Sequence, residues 1–297
     1  MTPTQLMTLY RPLECRPDSY FAWYQQGNRL RVGELYGEAL ISYEKALEYY
    51  PNDYWAWYKR GMTLEELGRY EDAVNSYENA AQIQPNNYWA WYDQGCVYLE
   101  QLKEYEKAIE CFDKALIAYP NDYWAYYRKG DAYRLSGNYE QAIATFNRAL
   151  ELRPSDYWVC YRRGDCLRES GQIEAALRDY KKALEVKPHD YWAWYQQGQI
   201  LQQLNRFSEA IESYEKALDA ESEDQYAWYN KACCEATLEH SYDAICSLKK
   251  AINLYPEIYI EMARNNPIFA NLWNDFKLTE FIELYQNSNG NGTLNLN

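Results

Sequence analysis

The stretch Pro51-Asn52-Asp53-Tyr54-Trp55-Ala56-Trp57-Tyr58-Lys59-Arg60-Gly61 decides how this chain is read. It returns as Pro85-Asn86-Asn87-Tyr88-Trp89-Ala90-Trp91-Tyr92, again from Pro120, Pro154 and Pro188, and more loosely from Pro17 and Ser222. Its closing glycine falls at Gly27, Gly61, Gly95, Gly130, Gly164 and Gly198, with Ala232 in the seventh place. The steps are 34, 34, 35, 34, 34 and 34 residues. A fixed period of this size means a stack of short units rather than one globular core, because each unit is too small to bury its apolar face alone.

Each unit divides into two helical halves. The residue before the first aromatic is Ser19, Asp53, Asn87, Asp122, Asp156, Asp190 or Asp224. Each has a short side chain that accepts a hydrogen bond from the free N–H groups of a helix start. This first helix ends after about three turns, near Gly68, Gly137 or Gly171, residues suited to a left-handed C-cap. The second half carries alanines seven apart with a ring between them. These are Ala39/Tyr43/Ala46, Ala73/Tyr77/Ala80, Ala108/Phe112/Ala115, Ala142/Phe146/Ala149, Ala176/Tyr180/Ala183 and Ala210/Tyr214/Ala217. The spacing i, i+4, i+7 places them on one helix face, where small residues let two helices approach while the ring fills the gap. A proline then stops the second helix and resets the cycle. The extra residue of the third unit, between Gly95 and Tyr105, is expected in the turn after Leu102.

These residues resemble the tetratricopeptide repeat family. Its pattern W-x-x-L-G-x-x-Y, then A-x-x-x-F, A and P, stands here as Trp57, Gly61, Leu64, Tyr70, Ala73, Tyr77, Ala80 and Pro85. The resemblance implies an all-α, right-handed superhelical solenoid of seven helix-turn-helix units: 20–53, 54–87, 88–122, 123–156, 157–190, 191–224 and 225–258. One departure is systematic. The apolar residue before the glycine is replaced by Gln26, Arg60, Gln94, Lys129, Arg163, Gln197 and Lys231, whose stems are expected to pack while their heads reach water. The seventh unit lacks both its glycine and the aromatic before Ala244. Residues 1–19 read as an N-terminal extension, 259–285 as a C-terminal cap and 286–297 as a disordered tail. The segment Pro51-x-Asp53-Tyr54-x-x-Trp57-x-x-Arg60 is also similar to the repeat of prenyltransferase α-subunits, over the first half of each unit only.

With 30 Lys plus Arg against 44 Asp plus Glu, the formal charge is −14, which argues against a nucleic-acid backbone as partner. No apolar run is long enough to span a bilayer, and Met1–Tyr10 lacks the basic start and apolar core of a signal peptide. A cytoplasmic location is expected. The eight cysteines form no C-x-x-C pair and read as reduced packing thiols. Two histidines lie in separate units, and neither a phosphate loop nor a nucleophile elbow occurs. The expectation is a protein that is not an enzyme and needs no cofactor or metal.

The compositional outlier is 17% aromatic residues, with 33 Tyr and 11 Trp. Number each unit from the residue after its cap. Positions 1, 4 and 8 share one stripe (Tyr54, Trp57, Gly61), expected to be core. Positions 2 and 5 share the next. Position 2 holds Phe21, Trp55, Trp89, Trp124, Trp158, Trp192 and Tyr226; position 5 holds Tyr24, Tyr58, Tyr92, Tyr127, Tyr161, Tyr195 and Tyr229. In the family this second stripe lines a concave groove that takes an extended peptide or a helix of a partner. The tryptophans fit either of two roles: groove walls, or rings packed sideways on the neighbouring unit. In the middle units Asp131, Arg134, Asp165 and Arg168 add alternating charge, read either as groove marks or as i, i+3 pairs within the helix. The position-5 tyrosines stand where the carboxylate-clamp form of the fold differs, so capture of a C-terminal carboxylate is not expected. The expected function is a protein–protein interaction scaffold or adaptor of unknown oligomeric state. The alternatives are small-ligand or glycan binding by the aromatic ladder, or a regulatory enzyme subunit.

Overall fold

The computed structural model describes residues 18–276 and 278–283. The expected N-terminal extension up to Pro17, the expected tail 286–297 and the last two residues of the expected cap lie outside them. The chain divides into two compact units, Met1–Arg153 and Pro154–Asn297.

The N-terminal half contains four helix pairs. They are α1 (Tyr20–Val32) with α2 (Tyr36–Tyr49), α3 (Tyr54–Glu66) with α4 (Tyr70–Ile83), α5 (Tyr88–Val97) with α6 (Tyr105–Ala118), and α7 (Tyr123–Leu135) with α8 (Tyr139–Leu152). The C-terminal half contains α9 (Tyr157–Glu169) with α10 (Ile173–Val186), α11 (Tyr191–Gln203) with α12 (Phe207–Ala220), and α13 (Gln225–Thr237) with α14 (Ser241–Leu254). It continues with α15 (Pro256–Asn265) and a 3-10 segment, Pro267–Asn274. Within each half, every second helix packs on its own first helix and on the first helix of the next pair. The architecture is an all-α solenoid of repeated helix-turn-helix units.

All seven first helices are capped as their sequences imply. Asp53 Oδ1 accepts from Ala56 N at 2.6 Å, and Asp122, Asp156, Asp190 and Asp224 do the same one repeat apart. Ser19 accepts from Ala22 N, and Asn87 from Trp89 N. The alanine and ring face is fully buried in the first six repeats. The repeat glycine is explained by that ring. A Cβ on Gly61 would lie 2.8 Å from the Tyr77 ring, and one on Gly130 would lie 2.6 Å from Phe146. The seventh repeat changes both partners at once, with Ala232 in the glycine's place and Leu248 in the ring's, and both are buried.

Four features differ from the sequence reading. The extra residue of the third repeat does not lengthen the turn; it widens the end of α5 into a π-helical turn, Tyr98–Leu102. An inserted residue there keeps the helix face in register on both sides. Position-4 tryptophans are half-buried rather than core. Their indole N–H groups reach back to the interrepeat turn: Trp57 donates to Pro51 O at 2.7 Å, Trp91 to Pro85 O at 3.0 Å, Trp194 to Pro188 O at 2.7 Å and Trp228 to Ser222 O at 2.9 Å. An indole that straps a turn must leave one edge near solvent, which is why it is not fully buried.

The four charged heads at position 7 are tied to other helices. Arg60 donates to Ser76 Oγ of its own repeat at 2.6 Å and pairs with Glu44 of the preceding one at 3.0 Å. Lys129 reaches Asp113 and Lys231 reaches Glu215 in the same backward sense. Arg163 makes two 2.6 Å bonds to Asp179, a buried carboxylate.

The turn between paired helices always holds one residue at positive φ. Glycine takes it at Gly68, Gly137 and Gly171, but Glu34, Lys103, Asn205 and Glu239 take it elsewhere. A side chain in that region costs about 1–2 kcal/mol. Glu34→Gly, Lys103→Gly and Glu239→Gly should each stabilise by about 0.5–1 kcal/mol, after the greater freedom of glycine in the unfolded chain is subtracted. Urea unfolding of the triple variant checks this, and a lower midpoint would show that these side chains earn their place by contacts.

Beyond Pro256, Tyr259, Ala263, Phe269 and Leu272 join the buried cluster of the seventh repeat with Tyr229, Ala232 and Leu248. Asn266 donates to the Tyr229 hydroxyl at 3.1 Å. The exposed side of the last helix pair is thereby supplied with apolar and polar partners from the segment that follows it.

Candidate functional site

The first helix of each of the first six pairs is amphipathic in an unusual way: positions 1 and 2 are both aromatic and lie on adjacent faces, while the seventh begins Gln225-Tyr226. Position 1 turns inward, so Tyr54, Tyr123, Tyr157 and Tyr191 are buried. Position 2 turns outward. Trp55, Trp89, Trp124, Trp158 and Trp192 are between 46% and 58% exposed, a narrow band for five different repeats. Phe21 and Tyr226 are exposed as well. Each tryptophan rests edge-to-face on the position-1 tyrosine of its own helix, with ring centroids 5.0–5.2 Å apart. Trp55 and Trp124 also touch the position-5 rings, Tyr58 and Tyr127. One side of the indole is therefore held in place by its own helix, and about half of its surface stays in solvent.

Position 5 is less exposed than position 2. Tyr58 and Tyr127 are buried, and Tyr92, Tyr161 and Tyr195 are half-buried. Several of their hydroxyls are used inside the stack. Tyr58 donates to Asp93 Oδ2 of the next repeat at 2.6 Å, and Asn230 donates to Tyr195 at 3.1 Å. Tyr92, Tyr161 and Tyr195 leave part of their rings at the surface, while the Tyr58 and Tyr195 hydroxyls join consecutive repeats.

The charged residues at positions 9 and 12 are explained by the second helix. Where that helix carries a tyrosine, its hydroxyl needs an acceptor, and position 9 or 12 supplies it. Tyr43 donates to Asn28 at 2.8 Å, Tyr180 to Asp165 at 2.6 Å and Tyr214 to Gln202 at 2.9 Å, while Tyr77 donates to Glu65. In the fourth repeat the ring is Phe146, which has no hydroxyl. Asp131 is buried there and takes Arg134 instead, with a contact of 2.8 Å. Arg168 pairs with the neighbouring Glu169 at 2.7 Å. Asp131, Arg134 and Asp165 thus have partners within their own repeats, and Arg168 has one on its own helix. The sequence signal for this was available: each tyrosine on the ring face of a second helix goes with an acceptor at position 9 or 12 of its repeat.

Burial pushes the Glu65 carboxyl up to about 7, against the opposing hydrogen bond from Tyr77 and with help from Asp93, Glu66 and Glu100. A carboxyl whose pKa is raised on folding stabilises the fold when protonated, and that contribution is lost as pH rises from the ordinary carboxylate range through about 7. Glu65→Gln keeps an acceptor for Tyr77, as Gln202 does for Tyr214. It should raise the melting temperature at pH 8, and the gain should fade towards pH 4. An equal gain at both pH values would contradict this origin.

Among the described residues no group of three or more His, Cys, Asp or Glu is arranged to hold a metal. No described helix is long and apolar enough to cross a membrane. None of the seven described cysteines is in a disulfide, and burial pushes Cys96, Cys111, Cys233 and Cys234 up to about 12, far from the range of a reactive thiolate.

Models of the tetratricopeptide repeat match residues 92–157, 161–224 and 195–245, and another matches 42–75. A further TPR repeat model matches 64–101. The first of these alone covers more than half of the chain, and the chain belongs to the tetratricopeptide repeat family. Solved structures agree on the fold. YrrB, described as a TPR protein with an unusual peptide-binding site, is similar at 23% identity over 65% of this chain and 100% of that one, with a TM-score of 0.58. A tetratricopeptide repeat protein of Parabacteroides merdae is similar at 18% identity over 91% of this chain and 100% of that one, with a TM-score of 0.58. MamA of Desulfovibrio magneticus is similar at 25% identity over 59% of this chain and 98% of that one, with a TM-score of 0.53. No curated protein sequence matches this chain.

Proposed function

We propose that this protein is a non-catalytic scaffold or adaptor that holds a segment of another protein against its position-2 rings. The observation that supports this reading is the constant half-exposure of Trp55, Trp89, Trp124, Trp158 and Trp192 beside buried tyrosines. Packing is already served by positions 1 and 8 and by the ring of the second helix. Solvated indoles in five successive repeats are a cost in water and a gain in an interface, where Trp and Tyr are the commonest anchors. The bound segment is extended and rich in proline or other apolar residues, or an amphipathic helix, since both present apolar groups at regular intervals to aromatic surfaces. Thiols outside any disulfide fit a reducing compartment, and a cytoplasmic location is part of the same proposal.

The test is quantitative capture of partners by the wild type and by two double variants, Trp89→Glu/Trp124→Glu in the N-terminal half and Trp158→Glu/Trp192→Glu in the C-terminal half. The reading expects partners to be lost from at least one variant while it remains folded. Capture of the same partners at the same strength by both would overturn it.

A further inference from the structure

The residue that ends the second helix, just before the interrepeat turn, adopts the same extended conformation in three successive repeats. Arg153 has φ −137° and ψ 88°, Lys187 has −126° and 83°, and Glu221 has −139° and 88°. In the first two of these repeats that residue is a cation, and it lies on the position-1 and position-2 rings of its own repeat. The Arg153 guanidinium is 4.0 Å from the Tyr123 ring centroid and 5.3 Å from that of Trp124. The Lys187 ammonium is 4.0 Å from Tyr157 and 4.7 Å from Trp158. The faces of these aromatic pairs are occupied by the chain's own positive charge.

In the sixth repeat the same pair, Tyr191 and Trp192, is built with the same edge-to-face geometry, at 5.0 Å and 80°. No cation lies over it among the described residues. Where Lys187 stands in the fifth repeat, the sixth has Glu221. This carboxylate forms no ion pair among the described residues, and it adds to burial and Asp224 in holding the Tyr191 hydroxyl above its ordinary pKa. The surrounding sequence, Asp219-Ala220-Glu221-Ser222-Glu223-Asp224, contains no basic residue. Trp192 is the most exposed of the five position-2 tryptophans, at 58%. The sixth repeat therefore has an aromatic surface that in the fourth and fifth repeats holds a cation, with a negative charge supplied in place of the cation.

We propose that Tyr191, Trp192 and Glu221 form a receptor for a lysine or arginine side chain of the partner segment. The cationic head sits over the two rings, where Lys187 sits on Tyr157 and Trp158, and pairs with the Glu221 carboxylate. This deepens the reading of the tryptophans as binding groups and rests on it: it gives the partner a basic residue to be read at the sixth repeat. A cation held between aromatic faces and a carboxylate gains from the ring quadrupole and from the ion pair together, and both strengthen as the partner excludes water.

The molecule supplies its own controls. Glu221→Lys copies the fifth repeat and fills the receptor from within. Lys187→Glu copies the sixth and opens a second receptor on Tyr157 and Trp158. Glu223→Lys makes the same change of charge at a neighbouring residue. The probes are two fluorescein-labelled decapeptides, five Pro-Lys units and five Pro-Gln units, titrated by fluorescence anisotropy at physiological salt. The expected result is that Glu221→Lys weakens the Pro-Lys peptide about tenfold and Glu223→Lys about twofold. Lys187→Glu should tighten it, and Pro-Gln binding should not respond to Glu221→Lys. Equal weakening by Glu221→Lys and Glu223→Lys would show an unspecific acidic field and overturn the receptor. Pro-Gln binding with no preference for Pro-Lys would also overturn it while leaving the aromatic reading intact. Absence of binding by both peptides would count against both. Circular dichroism melts of the same variants ensure that each compared protein is folded, and the natural presence of Lys at 187 and Glu at 221 shows that the backbone accepts either residue.

Discussion

Replacing Phe146 by alanine should destabilise the protein by about 3–5 kcal/mol, the range for a fully buried aromatic truncated to a methyl group. Phe146 has no accessible surface and lies between Ala142 and Ala149, both also fully buried. It faces the α7 backbone at Gly130, so close that a Cβ there would come within 2.6 Å of the ring. The reciprocal change, Gly130→Ala, should cost about 1–3 kcal/mol through overpacking. The seventh repeat predicts the remedy. There Ala232 faces Leu248 in the equivalent places, so Gly130→Ala/Phe146→Leu should cost clearly less than the sum of its single changes. Urea unfolding followed by circular dichroism measures the wild type, Phe146→Ala, Gly130→Ala, Phe146→Leu and the double variant. A Phe146→Ala curve superimposable on the wild type would remove the ring from the core, and additive costs in the double variant would remove the glycine–ring pairing.

The second large effect is expected in binding rather than stability. Trp158→Glu/Trp192→Glu should reduce affinity for the partner by several kcal/mol, since a Trp anchor at an interface commonly contributes about 2 kcal/mol or more. The cost to folding should be small for two reasons. Half of each indole is already in water, and Glu is a good helix former in an exposed position. What is lost on the protein side is one edge-to-face contact with Tyr157 or Tyr191 and, at Trp158, part of the seat of Lys187. Such contacts are worth about 0.5–1.5 kcal/mol each.

The parts of this fold that were legible in the sequence are those set by the backbone. A helix start needs a short acceptor, and Asp53 and its six equivalents supply it. A close helix crossing needs small residues, and Gly61, Ala73 and Ala80 supply them. The parts that were not legible depend on where a long side chain finds its partner. Trp57 reads as core because Trp is large and apolar, yet its indole N–H has one obligation, and the carbonyl of Pro51 meets it at the edge of the unit. Arg60 and Arg163 read as snorkelling heads because nothing in their own helix pairs with them; their partners are one helix away, at Ser76 and Asp179. The π-helical turn at Tyr98–Leu102 was invisible for a different reason. An inserted residue shifts the spacing by one wherever it is accommodated, in a loop or in a helix.

The candidate site divides in the same way. The outward direction of position 2 follows from helix periodicity, and the structure leaves those rings half in solvent. The charged positions were ambiguous because a carboxylate facing a groove and one accepting from a buried tyrosine look alike in one helix. Only the residue on the second helix, Tyr180 or Phe146, tells Asp165 from Asp131.

The central claim is that the position-2 tryptophans serve a partner and not the stack. It is tested most directly by measuring folding and binding on one preparation of Trp158→Glu/Trp192→Glu, with thermal melting by circular dichroism and partner affinity by titration calorimetry. The account predicts helicity and melting temperature close to the wild type, with binding lost. Loss of helicity would show that the rings hold the repeats together, and undiminished affinity in a folded variant would contradict the account outright.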